Sequence, residues 1–427
     1  MSDNGNVPTK RIHPVLLYAG VFLLAFVLLV FRRVSAFTMP QFYGEDGIKW
    51  YLDAHDLGVR AWLIPHGGYI QLFPRVVGSL AQLVPMVLAP LLFSLVALVV
   101  LSGASVFVLT DRFNEVLPNL WGRAAVAVFI LLTPSMGDMH GTLTNSHYVL
   151  SLMAALILLV ATPDKRIGWR IFDVVLILLS GLSNPFCILL TPLVWVRYRQ
   201  YRDKHLFTLA CLTTACAVLQ FGMRVIVGSD RSAAPLGASV QWLIHILANR
   251  VFLNGLLGQA NILSLATAIR DEYSGVGLIA PCIVVAICLF LLFRAWTQGT
   301  IGLRLFMAFA FLSLAVALAS PLASINQSQW MALATLNSAG RYFWFAILAF
   351  FLALLQVAIL DKNRRCRGVA IAFLALSPLG MTSDYLINPL PYMGHKAAAA
   401  VYDKSPKGTR LLIPATPTED WAFWITK

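Results

Sequence analysis

The sequence is poor in charge and in cysteine, and each shortage excludes a class of protein. Charged residues are only 12% of the 427 residues, against about 25% in a typical soluble domain. The six cysteines form no CxxC pair and no plausible exported disulfide pair, so we interpret them as packing residues. Hydrophobic residues reach 59% and the mean hydropathy is +0.76. This composition excludes a soluble domain and predicts a polytopic membrane protein.

Several catalytic and binding motifs are also missing from the sequence. It has no GxxxxGK[ST], no GxSxG and no HExxH, which disfavours an ATP-driven pump and a soluble-type hydrolase. The net charge is +13, but the positive residues fall in short connections between apolar runs and form no basic recognition surface. That distribution is typical of membrane topology, so no nucleic acid is expected as a partner.

Apolar runs long enough to cross a bilayer recur along the whole chain. Eleven spans are predicted, near residues 14–31, 88–109, 123–135, 147–161, 170–183, 185–197, 206–228, 275–294, 303–320, 341–360 and 367–382. Three of them, 123–135, 170–183 and 185–197, are too short to span alone and must use flanking residues or pack inside the bundle. The first run follows Lys10 and Arg11 without a cleavage site, so we expect a retained signal anchor.

The distribution of lysine and arginine predicts the orientation. More than half of the 32 fall in residues 1–13 and in the short connections on the same side, which places that side in the cytoplasm. The expected domain organisation is a transmembrane domain over residues 1–382, with long outer loops at 32–87 and 229–274, and a short outer tail at 383–427. The predicted fold is an all-α bundle, with interfacial helices near Gly47–Leu63 and Val240–Leu257 in the two outer loops.

The first outer loop concentrates ionisable and aromatic residues. Glu45 and Asp46 lie between Gly44 and Gly47, where a carboxylate can accept a proton from a hydroxyl group or hold a divalent cation. A pair of charges favoured by the dipole of the following helix is the alternative. Further along, His66, Gly67, Gly68 and Tyr69 combine a titratable ring with flexible backbone. Arg75 is a candidate anion ligand or, equally, an interfacial arginine.

Three later positions carry further candidates. Asp138 and His140 have a spacing that suits metal ligands, although two ligands do not make a site. Asn145 and His147 are polar at bundle depth, which favours a substrate-facing role. Arg341 begins the tenth span, where the helix dipole is unfavourable to a cation, so an anionic ligand or an interfacial position explains it. The turn at Asn184 is interpreted as a helix interruption, and the tail, with Trp421 and Trp424, as a strand and loop without a catalytic role.

The order of these motifs resembles a known superfamily. The motifs are E-D-G at 45–47, T-N-S-H-Y at 144–148, G-L-S-N-P-F at 181–186, G-R-Y-F at 340–343 and I-P-A-T-P-T-E-D-W at 413–421. Their succession is similar to bacterial GT-C superfamily integral-membrane glycosyltransferases that use polyprenyl-phosphate sugars. The large soluble C-terminal domain with which several GT-C enzymes bind acceptors is absent from this sequence.

The resemblance implies a GT-C-like bundle in the bacterial inner membrane, with a cytoplasmic N-terminus and a periplasmic C-terminus. The implied activity is inverting transfer of a sugar from a polyprenyl-phosphate donor to a cell-envelope acceptor, either a glycan such as a polysaccharide or lipopolysaccharide, or a lipid. Asp46 would be the general base, with Glu45 assisting. The implied substrate-binding residues are His66, Tyr69, Arg75, Asn145, His147, Arg341 and Tyr342.

Cofactors and other functions stay open at this point. No cofactor is certain; a divalent cation, Mg or Mn, is the one candidate, and Glu45, Asp46 and Asp138 are its candidate ligands. Two alternatives to the glycosyltransferase remain. The first is a transporter or flippase of a lipid-linked or small polar substrate, since polar residues at span ends are typical of broken helices. The second is a non-catalytic membrane scaffold.

Overall fold

The computed structural model describes residues 14–228, 234–268, 277–324, 326–336 and 339–427, and within them the chain is mostly helical. Lys10 and Arg11, on which the signal-anchor prediction depends, lie outside the described residues, as do 229–233 and 269–276 around the second outer loop. The α-helices are α1 (Pro14–Arg32), α2 (Ser35–Thr38), α3 (Leu52–Leu57), α4 (Leu72–Ala81), α5 (Ala89–Val108), α6 (Leu120–Leu132), α7 (Ser146–Ala155), α8 (Ile167–Gly181), α9 (Phe186–Tyr201), α10 (Lys204–Val227), α11 (Val240–His245), α12 (Asn254–Ala268), α13 (Ile279–Gln298), α14 (Ile301–Ala319), α15 (Gln329–Ala334), α16 (Trp344–Leu360), α17 (Arg364–Ser383) and α18 (His395–Lys404). The strands are β1 (Arg410–Ile413) and β2 (Phe423–Thr426).

Six helices of the described residues have the length and hydropathy to cross a membrane, as in a multi-pass membrane protein. They cover Val15–Arg32, Met86–Val108, Lys204–Val227, Ile279–Gln298, Ile301–Ala319 and Arg364–Ser383. The other five predicted spans are also helices, but they are shorter: α6, α7 with its π-helical continuation Leu156–Val160, α8, α9 and α16. The number of eleven transmembrane helices therefore stays a prediction.

Helix α16 forms the centre of the bundle. It packs against α13, α14 and α17, and the ring of Phe351 stacks on Phe129 of α6 with centroids 3.9 Å apart. Every residue from Trp344 to Leu354 is buried, as expected of a helix that is apolar all round. Because Arg341 and Tyr342 immediately precede this helix, its central position brings them to the middle of one end of the bundle. We call that end the site end.

The first outer loop is largely helical. A helix runs through Asp46–Tyr51 in π-helical geometry and continues as α3, and a 3₁₀ segment covers Gly58–Leu63. A helix is thus present where Gly47–Leu63 was predicted, but Gly58, with φ +58°, interrupts it earlier than expected. Helix α4 packs across it, and the backbone oxygen of Trp50 lies so close to Gly78 that a side chain there would collide with it.

The second outer loop is also helical where it is described. Helix α11 continues in π-helical geometry over Ile246–Leu253 and then into α12, beyond the predicted end at Leu257. Gly258, with φ +76°, breaks the helix axis within α12. Helix α12 packs against α17, so this segment is part of the bundle rather than a separate loop.

The C-terminal tail contains the sheet of this otherwise helical structure. Strands β1 and β2 pair antiparallel, with Arg410 opposite Thr426 and Ile413 opposite Phe423. Side chains alternate along β2 between buried and exposed, the two-residue period of a strand with one covered face. The predicted strand is confirmed, and the all-α class holds for the rest of the described chain.

The tail packs against the first outer loop. The N–H of Gly44 donates to the carbonyl oxygen of Thr416 at 2.7 Å, and the N–H of Thr416 donates to the carbonyl oxygen of Phe42 at 2.9 Å. Phe423 of β2 lies against Phe42, with ring centroids 5.8 Å apart. The tail is therefore bound to the segment that carries Glu45.

Candidate active site

A cavity of about 420 Å³ opens at the site end of the bundle. This volume is within the range of small-molecule sites in proteins. Its walls come from the first outer loop, the segment 144–148 at the start of α7, the segment 341–342 before α16, and the tail. Seven predicted site residues line it: Glu45, His66, Tyr69, Asn145, His147, Arg341 and Tyr342.

Three predicted residues do not line the cavity. Asp46 bonds to the lining residue Thr144 from outside the cavity, and Arg75 contacts the lining residue Trp50. Asp138 bonds to two lining residues, Arg341 and Asn145. No group of three His, Cys, Asp or Glu side chains gathers as a metal site within the described ranges. Glu45, Asp46 and Asp138 are therefore not gathered into one group of that kind.

Glu45 presents a carboxylate with no partner. It is half-buried, it lines the cavity, and among the described residues no hydrogen bond or ion pair to its side chain is present. Gly44, with φ +49°, turns the backbone immediately before it. A carboxylate held at a cavity wall with both oxygens free has the geometry of a general base or of a ligand for a substrate hydroxyl group.

Asp46 has the opposite environment. Its side chain is only 3% exposed. One oxygen, Oδ1, accepts from the N–H of Thr144 at 2.8 Å and from the Thr144 hydroxyl at 2.6 Å, and Oδ2 accepts from the N–H of Leu143 at 3.2 Å. The indole N–H of Trp50 donates to the same hydroxyl at 2.9 Å. Asp46 therefore fixes the segment that leads into Asn145 and His147.

Burial raises the pKa of Asp46 to about 7, although the hydrogen bonds from Thr144 and Leu143 favour the charged form. Desolvation penalises a carboxylate more than these three donors stabilise it. This carboxyl group therefore changes its protonation near neutral pH.

The sequence H-G-G-Y forms a tight turn at the cavity wall. The N–H of His66 donates to the carbonyl oxygen of Tyr69 at 2.9 Å, and the return bond is 3.4 Å. Gly67 and Gly68 have φ of +62° and +86°, a pair of positive values that glycine adopts without strain. Burial lowers the pKa of His66 and raises that of Tyr69, so both side chains are neutral at neutral pH and can exchange hydrogen bonds with a ligand.

The G-L-S-N-P-F turn between α8 and α9 anchors this wall. Gln220 of α10 accepts from the N–H of Ile70 at 2.9 Å and donates to the carbonyl oxygens of Ile70 and Gly181 at 3.1 and 2.9 Å. Asn184 donates to the carbonyl oxygen of His147 at 3.2 Å. The turn is a helix interruption, as predicted, and it also positions two walls of the cavity.

Arg341 supplies the positive charge of the cavity. Its Nη1 donates to Oδ2 of Asp138 at 3.1 Å, and the Asp138 side chain is 19% exposed. Its guanidinium carbon lies 4.9 Å from the centre of the Tyr342 ring. The preceding residue, Gly340, packs on the backbone of Ser135, where a Cβ would collide with the carbonyl oxygen. The ion pair leaves most of the five guanidinium N–H groups to a ligand.

Arg75 is committed to the protein. It is 1% exposed, its Nη1 donates to Oδ2 of Asp53 at 2.9 Å, and its guanidinium lies 5.2 Å from the centre of the Trp50 ring. This arginine stabilises the helix of the first outer loop and is not among the residues that line the cavity.

Four aromatic residues that were not among the predicted site residues also line the cavity. They are Tyr43, Trp50, Tyr148 and, from the tail, Trp421. Tyr148 directly follows the predicted His147, and Tyr43 lies two residues before Glu45, so their proximity in the sequence was the available signal. Trp421 was assigned to a tail without a catalytic role, and the sequence does not show that it reaches the cavity, because its position depends on the pairing of Thr416 with Phe42 and Gly44.

Comparison with known proteins leaves the family open. No protein-family model matches the chain, and no curated protein sequence matches it.

Proposed function

We propose that the chain is an inverting glycosyltransferase that moves a sugar from a polyprenyl-phosphate donor to a hydroxyl group of a cell-envelope glycan or lipid. The observation that carries the proposal is the presence of two opposite charges in one cavity of an apolar helical bundle. The free carboxylate of Glu45 and the guanidinium of Arg341 both line this cavity. Sugar transfer from a lipid phosphate needs a base for the acceptor and a cation for the leaving phosphate.

The chemistry is a single displacement at the anomeric carbon. The oxygen of the acceptor hydroxyl group attacks the anomeric carbon from the face opposite the phosphate, and Glu45 accepts the proton of that hydroxyl group. The bond between the anomeric carbon and the phosphate oxygen breaks, and that oxygen keeps the bonding electrons. The new glycosidic bond has the opposite configuration to the donor, and the lipid phosphate leaves with its charge beside Arg341.

Arg341 is suited to hold the phosphate. A guanidinium group can bond two phosphate oxygens at once, and here Asp138 occupies one side of the group. The ion pair keeps the guanidinium oriented before the donor arrives, so less side-chain freedom is lost on binding. His66 and His147 line the same cavity and are placed to bond sugar hydroxyl groups or phosphate oxygens.

The proposal assigns the general base to Glu45 in place of Asp46, to which the resemblance points. Both oxygens of Asp46 accept hydrogen bonds from residues 143–144, and the side chain is outside the cavity lining. Asp46 is a positioning residue: it holds the segment that presents Asn145 and His147 to the substrate.

The membrane arrangement proposed here has eleven spans, a cytoplasmic N-terminus and a periplasmic tail in the bacterial inner membrane. The helices at all eleven predicted positions and the concentration of lysine and arginine in the short connections support it. The cavity then opens at the periplasmic face, where a polyprenyl donor is reached from the lipid phase without a nucleotide.

The test is mass spectrometry of lipid-linked sugars and envelope glycans from a strain that lacks the gene. We expect a missing sugar in one envelope glycan or lipid and accumulation of the polyprenyl-phosphate sugar. Complementation with wild-type protein or with Glu115→Gln, a substitution at an exposed glutamate in the loop before α6, restores the sugar, and Glu45→Gln does not. If Glu45→Gln restores the sugar to the wild-type level, Glu45 is not the general base and this mechanism is wrong.

A further inference from the structure

We propose that the C-terminal tail is part of the sugar site, and that Trp421 stacks on the sugar ring of the donor. The inference rests on the proposed function, because it assigns a role within the same cavity. It extends that function to the tail, for which the sequence predicted no catalytic role.

The tail holds the indole of Trp421 at the cavity wall. Trp421 ends the short 3₁₀ segment Glu419–Trp421, and it lines the cavity with Pro417. Three of its ring atoms lie 3.7, 3.8 and 3.9 Å from the position that a Cβ of Gly44 would take. The indole thus packs over the backbone next to Glu45, the proposed base.

Trp421 differs from the other tryptophan in the lining. The N–H of Trp50 is used within the protein, since it donates to Thr144 at 2.9 Å. Among the described residues, no hydrogen bond from the indole N–H of Trp421 is present, although the side chain is half-buried. This donor is therefore available to a ligand in the cavity.

Strand β2, which follows Trp421, has buried apolar side chains of its own. Phe423 and Ile425 are 3% and 2% exposed and form the covered face of β2, whereas Trp424 is 54% exposed. The buried face of the sheet is therefore made by other side chains, and Trp421 packs against the edge of that cluster while it also lines the cavity.

A sugar ring is the ligand class that suits such an indole. The C–H bonds on one face of a pyranose carry partial positive charge and are attracted to the negative face of an aromatic ring. The hydroxyl groups at the sugar edge can accept from an indole N–H. With Arg341 for the phosphate and Trp421 for the ring, the cavity recognises the two halves of a sugar phosphate separately.

The experiment measures binding of two synthetic probes to the purified full-length protein: a short-chain prenyl phosphate and the same lipid carrying a hexose on the phosphate. We expect Trp421→Leu, which keeps apolar bulk over Gly44, to weaken binding of the hexose-bearing probe about fivefold and to leave the sugar-free probe unchanged. Trp421→Phe keeps most of the affinity, and Trp424→Ala is the control on the exposed face. Arg341→Ala should weaken the binding of both probes, since both carry the phosphate.

The outcomes separate this inference from the proposed function. If Trp421→Leu weakens the binding of both probes equally, or of neither probe, Trp421 does not stack on the sugar. The assignment of Arg341 to the lipid phosphate is not affected by that result. If wild-type protein binds neither probe, the proposed function fails and the role of Trp421 fails with it. Thermal unfolding of each variant distinguishes lost binding from lost folding.

Discussion

At the scale of single residues, the two adjacent carboxylates of the E-D-G motif have different environments. Glu45 lines the cavity without a partner, whereas Asp46 is buried under three hydrogen bonds. The sequence identified the pair, because charge is rare in this chain. It does not distinguish the two, because the difference depends on residues 143–144, which lie 97 and 98 positions away.

The first prediction concerns Glu45. Glu45→Gln removes the base and keeps the size of the side chain, so we expect at least a 100-fold loss of transfer rate with an unchanged melting temperature. Asp46→Asn is the comparison, and it should retain more activity than Glu45→Gln, since Asp46 acts through residues 143–144. The reverse order of the two rates would return the base to Asp46.

The second prediction concerns the pH dependence of stability. Burial raises the pKa of Asp46 from 3.8 to about 7, so between these values the folded protein holds a proton that the unfolded chain has released. The contribution of Asp46 to stability is therefore complete below about pH 4, declines as the pH rises to about 7, and is constant above that.

This dependence amounts to less than about 1.4 kcal/mol per pH unit. The measurement is the melting temperature from pH 5 to pH 8 for wild type, Asp46→Asn and Asp420→Asn, a control at an exposed aspartate of the tail. The decline should be weaker in Asp46→Asn alone. Three parallel curves would contradict the assignment.

At the scale of structural elements, the H-G-G-Y turn has a fixed conformation, although its two glycines predicted flexible backbone. Both glycines have positive φ, and Gln220 and the G-L-S-N-P-F turn hold the residues that follow. The glycines in the sequence predicted flexible backbone at this point. The sequence does not predict the anchor, because Gln220 lies 150 positions from Ile70.

The third prediction compares the two glycines of that turn. A Cβ on Gly68 would lie 2.4 Å from the carbonyl oxygen of Gly228, whereas a Cβ on Gly67 meets only the Tyr69 ring at 3.5 Å. Each alanine variant should lose about 1–2 kcal/mol of folding stability, because a residue with a Cβ is strained at positive φ. Gly68→Ala adds a collision with backbone, so its melting temperature should fall further than that of Gly67→Ala. Equal losses would mean that the turn has room to move.

At the scale of the whole molecule, the cavity is assembled from segments between Tyr43 and Trp421. The apolar runs predicted the helices well, since hydropathy and length are local properties. The convergence of the loops is not local. It follows from the central position of α16, which places Arg341 opposite Asp138, 203 positions away, and from the tail, whose pairing with Phe42 and Gly44 no periodicity reveals.

The fourth prediction concerns orientation. In a background without the exposed cysteines Cys211 and Cys282, a single cysteine replaces either Lys407 of the tail or Lys165 of the loop before α8, both exposed. A membrane-impermeant maleimide should label Lys407→Cys in intact spheroplasts and Lys165→Cys only after permeabilisation. Labelling of both, or of Lys165→Cys alone, in intact cells would contradict a periplasmic cavity.

The central claim is that this cavity transfers a sugar. The most direct measurement reconstitutes the purified protein in vesicles with a polyprenyl-phosphate hexose and an envelope glycan or lipid fraction, and follows the hexose by mass spectrometry. The account predicts a new glycosidic bond on the acceptor, of inverted configuration, with release of polyprenyl phosphate, and loss of both products in Glu45→Gln. Movement of the intact lipid across the vesicle membrane without any covalent transfer would contradict it and favour a flippase.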